Sequence, residues 1–347
     1  MAISKLSSQC ECAPSVTFDL HCHLRGTLQP AHAISLARRN GVPPPVSSDT
    51  SQYGFSTFEE FLAVYDRVGH VIRSPSDLRD VTLSYLKSVS GTGTVYVEFM
   101  ISPGHSITNG IDFSSQISAI ADAIEEAEAE TGIQSSIIIT CVRHRGPEEA
   151  LEIAELAAAS GCKHIRGFGL TGNERLFDAA QFRAAFLVAQ SAGFGLTAHA
   201  GEWLPAETVL HTIKSLNLSR VGHGISVAHN MSVLAEIVSL NTGFEICLSS
   251  NFALKAAREC DQHPARLLIN AGCRVAFATD DPAYFQTIPS REIDLAISRL
   301  NLTIEEQWRV VNDSIDMAFC DESVKRKLRL AAQVSDTNIA LQPMIRG

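Results

Sequence analysis

Short runs of aliphatic and β-branched residues recur along the chain, and most are followed by a stretch in which apolar residues return every three or four positions. Strands and helices that alternate in this way build parallel βα units. The pattern predicts eight strands, near residues 16–21, 94–101, 136–142, 164–170, 195–200, 220–223, 243–248 and 273–279. Helices are predicted between them over 113–130, 147–159, 179–192 and 227–239, and three more follow the last strand over 291–300, 304–318 and 323–332. Eight such strands close into an α/β barrel of the TIM type, (β/α)8. Residues 30–93 break the rhythm, with room for three helices before the second strand, and are read as a helical insertion over the barrel mouth after the first strand. Inside it, residues 41–53 carry three consecutive prolines and several serines, which marks a loop rather than a linker. No internal repeat or low-complexity tract divides the chain, so residues 1–347 are expected to form a single domain.

Composition narrows the function classes. With 45% hydrophobic and 19% charged residues the chain can bury a large core, unlike a disordered protein. The formal net charge of −10, with basic residues scattered rather than striped, argues against a nucleic-acid partner. The apolar runs are of strand length, too short to span a membrane. The first sixteen residues lack the apolar run of a signal peptide, and the nine dispersed cysteines suit reduced thiols, so a cytoplasmic location is expected. Cys10 and Cys12 are read as part of a loose N-terminal tail rather than as metal ligands.

Chemistry concentrates at the predicted strand ends. His21 and His23 close the first strand, and period-two alternation turns both imidazoles to one face, where they can share a metal ion. His199 ends the fifth strand and supplies a third nitrogen ligand, with Glu202 just beyond it as a proton donor or acceptor. His223 follows at the sixth strand, and Asp280 and Asp281 after the eighth. Two adjacent carboxylates repel each other, which makes sense at a barrel mouth if one binds a cation and the other a substrate. A helix N-cap before Pro282 is the plainer reading of Asp281. Arg143, His144 and Arg145 follow the third strand within reach of the site and are read as a solvated loop rather than as part of it.

Six motifs stand in one order from His21 to about Phe285: H-x-H-x-x-G-T, G-x-x-G-N-E, H-A-G-E, G-H-G, C-x-S-S-N and T-D-D-P. In that order and spacing the chain resembles the adenosine deaminase family of metal-dependent amidohydrolases. The resemblance implies one zinc ion per chain, held by His21, His23, His199 and Asp280, and a water activated there. It further implies that Glu202 protonates the purine ring nitrogen and that His223 orients the water and accepts its proton. Asp281 would bond the imidazole part of the purine, and the Gly172 backbone amide its far side. The implied reaction is hydrolysis of a 6-aminopurine, with adenosine or a related nucleoside first. The alternatives are adenine, an N6-substituted aminopurine base or nucleotide, or aminodeoxyfutalosine; a reading of another class is a non-catalytic metal-binding regulatory protein.

The chemistry is consistent with this assignment, because zinc lowers the pKa of water from about 16 towards 7 and a positioned acid adds about 10²- to 10⁴-fold. Other zinc deaminases use H-x-E with P-C-x-x-C, and the latter is absent here. Two departures from the family pattern stand out. The usual proline of C-P-x-S-N is missing, and Arg25 occupies the position where the family carries an acid that binds a sugar hydroxyl. An arginine facing the pocket would favour an anionic substrate, and the alternative is an internal salt bridge.

Overall fold

A computed structural model describes residues 12–258 and 262–340. The strands run β1 Thr17–His23, β2 Thr94–Ile101, β3 Gln134–Val142, β4 Ile165–Thr171, β5 Gly195–Ala200, β6 Arg220–His223, β7 Gly243–Ile246 and β8 Val275–Phe277. All neighbours are parallel and follow chain order. Closure comes where β1 meets the segment after β8: His23 N donates to Asp280 O at 2.8 Å, and Asp280 N to His21 O at 2.8 Å. The expected barrel is therefore present, and this closure also sets two metal-ligand candidates side by side.

The insertion contains the three expected helices, Pro30–Arg39, Phe58–Gly69 and Pro75–Ser90. Two of these starts are legible locally, because Thr57 and Ser74 cap them from their side chains. The proline-rich segment between the first two is a loop, as expected. The helix predicted over 179–192 splits into a short 3-10 turn, Ala179–Phe182, and a helix, Arg183–Ser191; the last one runs longer than predicted, Glu322–Ala340. The eighth strand is shorter than predicted, because its last residues leave the ladder to form the site rim. Cys10 lies outside the described residues; Cys12 is half-buried and its carbonyl accepts from Trp308 Nε1 at 2.9 Å.

One extra residue in β1 decides where its side chains go. The pairing advances from Asp19↔Val97 to Cys22↔Phe99, three residues against two. Such a slip re-aims side chains. Asp19 thus bonds Tyr85 of the Pro75–Ser90 helix and Thr279, whereas His21, two residues on, meets Glu245 of β7.

The lower barrel interior is polar and is plugged at the N-terminal end of the strands by the chain segment around residues 317–319. Arg220 donates from Nε to Glu245 (2.6 Å), from Nη2 to Glu98 (2.6 Å) and from Nη1 to Met317 O (2.7 Å). The Phe319 ring lies under its guanidinium, 3.5 Å from centroid to Cζ. Burial opposes ionisation of Glu245, but Arg220 and His21 outweigh it and hold its carboxyl down at about 2. Room for Phe319 comes from Gly167 and Gly195, where a Cβ would come within 2.7 and 2.2 Å of its ring. Gly195→Ala should therefore cost about 1–3 kcal/mol of stability by overpacking. Gly91→Ala, in open space at φ −74°, should change it by less than about 0.5 kcal/mol. Urea unfolding of both variants checks this, and equal midpoints would refute the plug.

Candidate active site

At the C-terminal rim the predicted residues converge. The rings of His21 and His199 lie 4.7 Å apart between centroids, His21 and His23 5.2 Å, and His23 and His199 5.3 Å. Asp280 Oδ1 stands 3.3 Å from His23 Nε2 and 3.8 Å from His21 Nε2, and its Oδ2 accepts from Ser250 Oγ at 2.6 Å. Asp280 and His223 both hold positive φ, 63° and 64°, backbone strain of the kind concentrated at functional sites.

The donor set fits a cation on its own geometry. His21 Nε2 and His199 Nε2 are buried with no hydrogen-bond partner among the described residues. His21 Nδ1 is 2.6 Å from Glu245, so the ring donates its Nδ1–H to that carboxylate and keeps Nε2 free, the usual carboxylate–histidine arrangement behind a metal. Burial and the neighbouring histidines hold His199 well below the usual imidazole range, hence neutral and able to ligate. Glu245, unlike the motif residues, was not legible as part of the site; it lies in a strand with no distinguishing neighbours.

Glu202 and Asp281 also carry unpartnered buried oxygens, Oε1 and Oδ1. Burial pushes the Glu202 carboxyl up to about 7, with the Asp280 and Glu174 charges adding to it and His223 opposing. Burial beside Asp280 raises Asp281 as well. Asp281 begins the short helix Pro282–Phe285 but makes no side-chain cap bond, so the capping alternative does not describe it. Its side chain has room only because residue 26 is glycine, where a Cβ would stand 2.0 Å from Asp281 Oδ1.

A buried relay sets the proton of His223. Ala265 N donates to His263 Nδ1 (3.1 Å), so His263 carries its hydrogen on Nε2 and gives it to Asn251 Oδ1 (3.2 Å). That turns Asn251 Nδ2 towards His223 Nδ1 (3.3 Å). His223 then bears hydrogen on Nε2, the atom 3.9 Å from Glu202. In this tautomer His223 presents a donor, not an acceptor, on Nε2. Asn251 belongs to the C-x-S-S-N motif, whereas His263 carried no signal of its own.

The cavity above these groups is walled by Phe58, Phe61, Leu62 and Tyr65 of the insertion, by Leu254, and by Ser102, His105, Val142, His144, Thr171 and Gly172 at the ends of β2 to β4. Gly172 lies on this wall. Arg25 is not on this wall: its guanidinium is buried, donates to Ser106 Oγ at 3.2 Å and lies against Gly69. Among the described residues no carboxylate reaches it within 4.0 Å, so the expected alternatives, a pocket anion site and an ion pair, both give way to a buried support beneath the insertion. Arg143 also departs from the solvated-loop reading: it is 2% exposed and donates to His199 O at 3.1 Å.

The sequence matches the family model described as adenosine deaminase over residues 17–336. The chain belongs to the adenosine deaminase family. It is a hydrolytic deaminase, as the members of this family are. An adenine deaminase of Rhizobium leguminosarum bv. trifolii is 36% identical over 310 residues, covering 89% of this chain and 96% of the relative. One of Agrobacterium fabrum is 34% identical, covering 92% and 97%. The crystal structure of an adenine deaminase from Arthrobacter aurescens superposes with a TM-score of 0.86 at 27% identity, covering 92% of this chain and 98% of that one. Among the described residues of this adenosine deaminase family member, no helix is long and apolar enough to cross a membrane.

Proposed function

We propose that this chain hydrolyses the exocyclic amino group of adenine to give the 6-oxopurine and ammonia, with one zinc ion held by His21, His23, His199 and Asp280. The substrate reading is carried by position 25. Where the family has an acid for a sugar hydroxyl, this chain has an arginine that stands off the cavity wall, so that position offers a ribose nothing. The apolar wall of Phe58, Phe61, Leu62 and Tyr65 suits a flat bare ring. Relatives named adenine deaminase at 34–36% identity support the same reading.

Bound zinc would acidify a water so that hydroxide is available near neutral pH. Glu202, protonated through burial, gives its proton to the ring nitrogen beside the attacked carbon, which relieves the loss of conjugation there. His223 donates from Nε2 to the attacking oxygen, and the Glu202 carboxylate then takes the oxygen's proton and passes it to the departing amine. Asp281 donates to the imidazole part of the base, and the Gly172 amide meets the opposite edge. Ammonia release from adenine, adenosine, adenosine monophosphate and N6-methylated forms tests the assignment. Adenine should exceed adenosine in kcat/KM by about five- to a hundredfold, because a ribose hydroxyl taken from water without a partner costs about 1–3 kcal/mol. Equal or faster turnover of adenosine would return the reading to a nucleoside.

A further inference from the structure

The turn that carries Glu202 is held by a carboxylate to which the reaction above gives no part. Glu174, three residues beyond the end of β4, is 4% exposed, and its two oxygens gather the backbone N–H groups of a single turn. Gly201 N donates to Oε2 at 2.7 Å, while Leu204 N at 2.8 Å and Trp203 N donate to Oε1. Arg143 grips the strand end just before it, through the carbonyl of His199. Among the described residues Glu202 Oε1 has no hydrogen-bond partner and Oε2 lies 3.9 Å from His223 Nε2, so the aim of this side chain leans on the backbone that Glu174 holds.

We infer that Glu174 is a positioning residue for the deamination, fixing the 201–204 turn so that the Glu202 acid meets the ring nitrogen. The inference rests on the role proposed for Glu202. Charge-assisted bonds to an ionised carboxylate are about twice as strong as neutral ones, and three of them on one turn leave it little freedom. Glutamine offers one acceptor oxygen where two are used and sets an NH₂ against N–H donors; aspartate keeps the charge but falls one methylene short. A displacement of the acid by about 1 Å is enough to cost on the order of 10² in rate.

The test compares Glu174→Gln, Glu174→Asp, Glu202→Gln and the Glu174→Gln/Glu202→Gln double variant, each as the full zinc-loaded chain, with the aminopurine turned over fastest in the screen above. Zinc content, kcat per zinc and KM are measured together. Glu174→Gln should lower kcat per zinc about 10- to 100-fold with KM changed by less than about threefold, and Glu174→Asp should fall in between. The double variant should be no slower than Glu202→Gln alone, because a residue acting only through Glu202 has nothing left to position. A Glu174→Gln enzyme within about threefold of the wild-type kcat, or a double variant slower by the product of the two single losses, overturns the inference. A loss confined to zinc content or to the yield of folded protein does so too, since it marks a merely structural role. Should Glu174→Gln fail to fold, Glu174→Asp and its double with Glu202→Gln give the same decision. Wild-type turnover in Glu202→Gln alone would instead remove the acid assignment itself, and is recognisable because that variant leaves Glu174 untouched.

Discussion

Glu202→Gln should leave zinc bound and lower kcat by about 10²- to 10⁴-fold, the usual worth of a positioned general acid. The amide matches the carboxyl in shape but cannot deliver a proton to the ring nitrogen. Because Glu202 lies beyond the proposed ligand His199 rather than among the four ligands, its replacement touches the proton path and not the ion. KM should move little, since a group that acts mainly in the transition state changes kcat and kcat/KM together. Elemental analysis alongside steady-state kinetics decides it. Near-normal turnover with full zinc would take the proton donor away from Glu202, and loss of zinc would make it a ligand.

His21→Ala should abolish stable zinc binding and activity together, because it removes one of two orphaned buried nitrogens that the proposed zinc would take. Glu245→Gln should do less: it leaves every ligand in place but removes the carboxylate that fixes the His21 ring, and should weaken zinc about 10- to 100-fold. Competition against a chromophoric chelator separates the two. Chelated wild type should lose activity and regain it with one equivalent of zinc. Full activity after exhaustive chelation, or two equivalents in active protein, would refute a single zinc. Unchanged affinity in Glu245→Gln would confine Glu245 to the Arg220 plug.

The strand-end residues were readable in the chain because each belongs to a short contiguous motif. A histidine pair two apart on a strand must share a face, and six motifs in one order identify the family far more specifically than any one. What the period of β1 does not show is the inserted residue between Asp19 and Cys22, which sends Asp19 to the Tyr85 side while His21 turns to Glu245. Arg25 was the least legible position. Its charge suggested either an anionic ligand or an ion pair, and the depth of its burial replaced both.

By itself, the sequence determined the alternation of strands and helices, the three-helix insertion, and which imidazoles and carboxylates end the strands. These are local properties, written in period, capping residues and short motifs. The tertiary structure decided what surrounds those groups. It brought Glu245 from β7 behind His21, Glu174 from beyond β4 under the Glu202 turn, Arg143 onto the His199 carbonyl, and His263 through Asn251 to His223. It also raised Glu202 to about 7, which no motif can announce. The reason is physical: hydrogen-bond partners and desolvation depend on groups tens of residues apart that meet only when the barrel closes, and no local pattern in the chain encodes that meeting.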